Sequence, residues 1–256
     1  MRALGLALLL ACAGCSKKVE PPRRTEPWLA TPSVSAEPSA LAPRSFRFTS
    51  ASVARFSVPS RKAKVSGSVA VSGGELRTDP RRLELTRGHV EVDLSKLTID
   101  ESSVPEGAEL GGRSASELAL DWLELGAGVA QDKRAQFGKA RFELVSIDNL
   151  SGPALSGEGR SGRVRAVVIG TLLLHGFRAP VRADVWVELQ PAPAEGGGQR
   201  LSIRSAVPLV LPLGPHDIGA RSASGTPDPL SAARAGEWVG KSARIELDLT
   251  AEPSTK

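Results

Sequence analysis

Three histidines and two cysteines are the residues best suited to acid–base, nucleophilic or metal chemistry in this chain of 256 residues. His89, Glu91 and Asp93 share one phase of an alternating segment, and side chains at i, i+2 and i+4 of a strand point the same way, as metal ligands must. The intervening Val90, Val92 and Leu94 claim the interior, however, which leaves the polar trio on a solvated outer wall. His175 closes an apolar run just before Gly176, the place of a turn residue. His216 and Asp217 are neighbours in a Pro/Gly-rich loop, and adjacency in sequence does not aim a carboxylate at an imidazole. The sequence contains no Gly-rich phosphate loop, no GxSxG and no HExxH. These residues predict neither a catalytic centre nor a metal site, and the protein is read as a non-enzyme.

The thiols belong to a different chemistry. Cys12 and Cys15 lie at the end of MRALGLALLLACAG, where one basic residue, an apolar run and small residues make an export signal over residues 1–14. Ser16, Lys17 and Lys18 end the run short of the roughly 20 apolar residues a membrane span needs. Cys12-Ala13-Gly14-Cys15 resembles the bacterial lipobox, which implies cleavage before Cys15 and lipid on its sulfur. Leu9-Leu10-Ala11-Cys12 offers a second register with Cys12 as the modified residue. Residues 15–45 then read as a lipidated tether, with Pro21, Pro22, Pro27, Pro32, Pro38 and Pro43 among Ser, Ala and Glu. The expected location is the periplasmic side of a membrane in a bacterial envelope, with the membrane as a partner through the lipid. The folded body holds no cysteine, so its core alone must stabilise it.

The formal net charge of +5 invites a nucleic-acid reading, but most of the excess lies outside the body. Without Arg2 and the charges of residues 16–45, 27 basic residues face 25 acidic ones, which is no phosphate-neutralising stripe. A nucleic-acid partner is excluded on that ground, and nothing in the sequence names a protein partner.

From Phe46 onward the signal is alternation with period two. Val65, Gly67, Val69 and Val71 alternate with small residues up to Ser72-Gly73-Gly74, read as a turn opening a hairpin. Leu83 and Leu85 hold one phase, Val90, Val92 and Leu94 the other, and a β-bulge near Arg87-Gly88 accounts for the change. Further strands cover Ala140 to Ile147, Val164 to Leu174, Val181 to Leu189, Leu201 to Val207 and Ala243 to Leu249. Gly196 to Gly198 read as a hairpin tip, and Trp186, on a charged phase, either marks a contact surface or packs beneath the tether or the helix. One helix interrupts the strands: Ser114 and Glu117 form a capping box, Leu118, Trp122 and Leu125 recur at helical spacing, and Gly126 suits the left-handed C-terminal position. Such a helix either lids a barrel mouth or simply covers core.

Several segments together resemble the YceI-like family of polyisoprenoid-binding proteins. They are Val65-Ser-Gly-Ser-Val69, Val92-Asp-Leu-Ser-Lys-Leu-Thr-Ile-Asp100, Ala140 to Ile147, Ile169 to Gly176 with Ala179-Pro180-Val181, and Leu213-Gly-Pro-His-Asp217-Ile-Gly219. Where that family has an Arg-Asp-x-His helix start and a Tyr-Pro step, this chain has Ser114 to Trp122 and Gln136-Phe137-Gly138. The resemblance implies an all-β, antiparallel, eight-stranded lipocalin-like barrel over residues 46–252 with one short inserted helix, and a polyisoprenoid or quinone-like lipid held inside without any other cofactor. The inward aliphatics Val69, Val71, Val90, Val92, Phe142, Leu144, Val168, Leu172, Leu174, Val185 and Val187 are then expected to line an apolar tunnel. The competing expectation is an envelope scaffold in which the same residues fill the barrel solidly.

Overall fold

The computed structural model describes residues 44–60, 63–108, 110–151, 155, 162–191, 199–229 and 240–254. The leader, Cys12, Cys15, the tether as far as residue 43 and the Gly196–Gly198 tip lie outside the described residues, while Arg44 and Ser45, read as the end of the tether, instead open the first strand. Among those described, the elements run β1 (Arg44–Phe48), β2 (Val53–Pro59), β3 (Lys64–Asp79), β4 (Arg82–Asp93), β5 (Thr98–Ile99), α1 (Ala115–Trp122), α2 (Gln131–Phe137), β6 (Lys139–Ser151), β7 (Arg163–Leu174), β8 (Phe177–Pro191), β9 (Gln199–Ser205), β10 (Leu209–Pro212) and β11 (Ser242–Pro253).

Hydrogen-bonded neighbours run β11-β2-β3-β4-β6-β7-β8-β9, and β9 pairs back onto β11, so eight antiparallel strands close into a barrel. The remaining strands share lanes of this ring. Strand β1 continues the lane of β2, pairing with Glu75–Thr78 of β3 and the end of β11, while β10 continues the lane of β9 against Ser242–Ile245. Both lanes jog, and a serine repairs each jog. The Ser52 hydroxyl donates to the Thr250 carbonyl and accepts from its N–H, both at 2.9 Å; the Ser205 hydroxyl accepts from the Leu247 N–H at 2.9 Å. Closure leaves few unpaired edges, which a protein of this strand content must otherwise protect.

The alternation of the sequence is the alternation of the wall. In β8, Val181, Ala183, Val185, Val187 and Leu189 are buried inside, and Arg182, Asp184, Trp186 and Glu188 face outward. Outer carboxylates and guanidinia bridge neighbouring strands: Arg165 donates to Asp184 at 2.8 Å, Arg204 to Asp248 at 3.2 Å, and Arg141 to Glu91 at 2.9 Å. Bonding to Arg165 holds the Asp184 carboxyl below its ordinary range. The Arg163 guanidinium lies over Trp186, 4.3 Å from its ring centroid, on this outer face.

Four local expectations change. Ser72-Gly73-Gly74 is not a turn: β3 runs through it to Asp79, with a register shift between Val71 and Gly73 that bends the strand, and the chain turns at Pro80-Arg81 instead. There the Asp79 carboxylate accepts from the Arg81 N–H at 2.9 Å. The bulge in β4 falls earlier than Arg87-Gly88, because Leu83 and Thr86 are both buried and Leu85 is exposed. A second helix, α2, joins α1; its N-cap Ala130 makes no side-chain bond and only Phe137 is buried, so neither capping nor periodicity announced it. The left-handed residue after α1 is Glu124, at φ 55°, not Gly126. The Leu125 N–H reaches the Leu120 carbonyl at 2.8 Å and the Glu124 N–H the Asp121 carbonyl at 3.0 Å, a Schellman closure that places the left-handed residue ahead of the glycine.

Gly88 is held at φ 150°, and a Cβ there would stand 2.0 Å from the Glu75 carbonyl oxygen across the ladder. Gly88→Ala is therefore expected to lose at least about 2 kcal/mol in urea unfolding. A loss under about 0.5 kcal/mol would show that the β3–β4 pairing relaxes freely at this point.

Candidate functional site

The barrel encloses a cavity of about 340 Å³, at the lower end of the usual range for small-molecule sites. Its wall is aliphatic and aromatic except for Thr78, Thr86 and His89. The two threonine hydroxyls satisfy each other at 2.7 Å and are buried, so they offer little to a polar ligand. What so apolar a surface does best is remove apolar surface from water.

Of the eleven aliphatic and aromatic residues expected inside, ten border the cavity: Val69, Val90, Val92, Phe142, Leu144, Val168, Leu172, Leu174, Val185 and Val187. Val71 does not. It is buried in the cluster that includes Phe46 and Phe48 of β1 and Leu76 of β3. Leu118 and Trp122 of α1 also reach the wall, whereas Leu125 belongs to a second cluster with Leu123, Phe137, Leu174 and Leu211. Helix α1 therefore forms part of the wall, while Leu125, past its C-terminal end, packs in that second cluster. Sequence reasoning missed the wall residues of four strands: Ala54, Phe56 and Val58 of β2, Leu201 and Ile203 of β9, Leu209 and Leu211 of β10, and Ile245, Leu247 and Leu249 of β11. Their signal was present, since Ala54, Phe56 and Val58 alternate with Arg55 and Ser57.

Capping fixes α1 in place. The Ser114 hydroxyl accepts from the Glu117 N–H at 3.2 Å and the Glu117 carboxylate accepts from the Ser114 N–H at 2.8 Å, which holds that carboxyl below its ordinary range. On the inner side of the helix, burial pushes the Asp121 carboxyl upward against the pull of its ion pair with Arg113.

The polar residues singled out in the sequence are dispersed. His89 borders the cavity rather than a solvated outer face and stands beside Glu91, 3.8 Å away, in a row that continues through Arg141 to Glu143; its imidazole is held below 6.5, first by burial and then by the Arg141 charge. Asp93 instead caps the following turn, accepting from the Ser95 N–H at 3.1 Å. His175 and Gly176, at φ 51° and 79°, make the two-residue turn joining β7 and β8, where the imidazole is wholly buried against Phe137, ring centroids 4.5 Å apart. Its Nδ1–H donates to the His216 carbonyl at 2.9 Å, and its Nε2 lies 3.7 Å from Glu124. Asp217 turns away from His216 to accept from Arg221 at 2.8 Å. Among the described residues no three His, Cys, Asp or Glu side chains form a metal-binding group.

His216 is also buried, and burial lowers its pKa from 6.5 despite a hydrogen bond to the Leu174 backbone that pulls the other way. Above 6.5 the imidazole is neutral in both the folded and unfolded chains; below it the unfolded chain takes up a proton that the folded chain refuses. Stability is thus expected to fall as pH drops from 6.5 toward the lower folded value, and His89 acts in the same direction. Urea midpoints compared between about pH 7.5 and about pH 5.5 should show this loss, and His216→Gln should reduce it. Equal losses in both proteins would remove His216 from the account.

No family model matches the chain. No curated protein matches it either. Among solved structures, one similar in shape is a polyisoprenoid-binding domain from Saccharophagus degradans implicated in plant cell wall breakdown. It is 14% identical over 83% of this chain and 99% of that one, with a TM-score of 0.48. A second is BcnA from Burkholderia cenocepacia, 15% identical over 78% of this chain and 94% of that one, with a TM-score of 0.44. The likeness is one of fold. The closed ladder and its register, read from this chain's own strands, establish the eight-stranded antiparallel barrel independently of either neighbour.

Proposed function

We propose that this protein binds one long apolar lipid, polyisoprenoid or quinone-like, inside its barrel for carriage or storage, and that it does so from a lipid anchor on the periplasmic side of a bacterial membrane. The observation that carries this reading is the cavity of about 340 Å³ with an aliphatic wall. A solidly filled barrel would have no such space, so the scaffold reading loses its main support. Burying a few hundred Å² of prenyl chain at roughly 25 cal/mol per Å² supplies on the order of 10 kcal/mol before ordering costs. Selection then acts on length and shape, because the wall offers almost no polar group to recognise a headgroup.

The full chain, purified gently, should show a native mass exceeding its denatured mass by one lipid, identifiable after organic extraction. It should also take up all-trans-retinol, a fluorescent isoprenoid alcohol. No mass excess together with no retinol uptake refutes the reading. The anchor is tested separately by the mass of the N-terminal peptide: lipid on Cys15 supports it, lipid on Cys12 moves the site, and an unmodified thiol removes it.

A further inference from the structure

The aromatic part of the cavity wall carries one unanswered hydrogen-bond donor. Trp122, the last residue of α1, borders the cavity, and its indole nitrogen is shielded from solvent yet meets no acceptor. Buried donors are nearly always paired, because an unmade bond leaves the whole cost of taking the group out of water. Other buried groups with one unmet atom are engaged through another. Asp79 accepts from the Arg81 N–H through its Oδ1, Arg221 donates through both terminal nitrogens, and His216 bonds to the Leu174 backbone. None of these three borders the cavity. An indole has a single polar atom and can only donate, so for Trp122 the whole capacity of the side chain goes unused, beside an empty apolar space.

The two ends of the cavity differ. The Ser116 hydroxyl of α1 accepts from the Ile99 N–H at 2.9 Å, and Ile99 pairs with Gly67 near the start of β3, which fixes the helix toward that end of the strand. Strand β1 pairs with Glu75–Thr78 at the other end of β3. Val65 and Thr78, from the two ends of β3, both border the cavity, so the space follows the strand from the α1 end to the β1 end. At the β1 end the Thr78 and Thr86 hydroxyls bond to each other at 2.7 Å. At the α1 end the donor waits among Leu97, Ile99 and Leu118. No lysine or arginine among the described residues borders the cavity, so a charged headgroup drawn inside would lack a counter-charge, whereas a neutral oxygen needs only a donor.

We infer that the Trp122 indole N–H receives a neutral oxygen, hydroxyl or carbonyl, at the polar end of the lipid, so that the ligand lies with its oxygen at α1 and its tail toward β1. This rests on the lipid-binding reading above and adds the direction of the ligand and the chemistry of its polar end. Burial of the chain supplies the affinity and is indifferent to which end enters first. One donor at one end breaks that symmetry, because a ligand in the reverse sense strands both its own oxygen and the indole N–H in apolar surroundings.

The test compares farnesol with β-farnesene, which share a prenyl chain and differ in that only farnesol carries a hydroxyl. Each is titrated against bound all-trans-retinol, followed by fluorescence, in the full chain and in its Trp122→Phe variant, which keeps an aromatic ring and removes the donor. The Kd of farnesol should rise about tenfold in the variant, while that of β-farnesene changes less than about twofold. Any packing defect left by the smaller ring weakens both ligands alike and cancels in the comparison. Equal changes for the two ligands make Trp122 a packing residue and overturn the inference while lipid binding stands. A second readout needs no variant: in the proton spectrum of the labelled full chain, the Trp122 indole N–H should move downfield with farnesol and not with β-farnesene. A resonance that responds alike to both overturns the inference as well. No retinol binding by the unaltered protein refutes the lipid-binding reading, and this inference with it.

Discussion

Val168→Phe combined with Leu247→Phe is expected to weaken retinol binding about 100-fold, a change of about 2.7 kcal/mol, while leaving the urea midpoint unchanged or raised. Val168 on β7 and Leu247 on β11 stand three places apart around the ring, and both border the cavity while remaining only partly buried. A cavity-facing phenylalanine takes space from the ligand; excluding roughly 100 Å² of lipid surface forfeits about 2.5 kcal/mol at ~25 cal/mol per Å². The same substitutions separate the two readings of the barrel. In a solid core each extra ring forces neighbours off their rotamers and costs about 1–3 kcal/mol. In a hollow one the ring buries against existing wall and costs nothing comparable. Calorimetric or urea unfolding beside a fluorescence titration therefore gives opposite patterns: stability kept and binding lost, or stability lost with no binding to lose. The second pattern would sink the lipid-binding proposal.

What was legible in the sequence is what alternation encodes. Charges and aliphatics trade places residue by residue in β8, and a slip of one position would bury Arg182, Asp184 and Glu188, so both the strand and its inward face are strongly specified. Ten of the eleven proposed lining residues border the cavity for that reason. Reading failed where the rule is broken for the sake of closure. Gly73-Gly74 looks like a turn because glycine usually punctuates, but a sixteen-residue strand bent around a barrel needs a flexible point in its middle. Val71 keeps the inward phase yet is buried in a cluster with Phe46 and Phe48 of β1, a strand added to the lane of β2, and no local pattern reveals which strands pack together. Histidines 175 and 216 were read as turn and loop residues, which they are. Their complete burial follows from contacts 41 residues apart, and these a single sequence does not display.

Arg221→Met should produce the largest loss of stability of any single change considered, about 3 kcal/mol or more, because it strips a cation from a carboxylate that has no access to water. Glu124 is 2% exposed and sits in the left-handed turn after α1, with Arg221 at 3.3 Å, Lys133 at 3.5 Å and His175 at 3.7 Å. Arg221 in turn donates to the Gly225 carbonyl at 3.1 Å and to Asp217 at 2.8 Å, so one guanidinium joins the α1–α2 segment to the loop that carries the Gly214–His216 turn. Glu124→Gln is expected to cost less, about 1–2 kcal/mol, since Arg221 keeps Asp217 and two backbone carbonyls. The double variant decides the physics. If the cost of Arg221→Met is chiefly an uncompensated buried charge, removing that charge as well must return part of it, and the pair should be less destabilised than the sum of the singles by at least about 1 kcal/mol. Strict additivity in urea unfolding near neutral pH would instead mean that Lys133 and His175 already neutralise Glu124, leaving Arg221 a packing residue of its own loop.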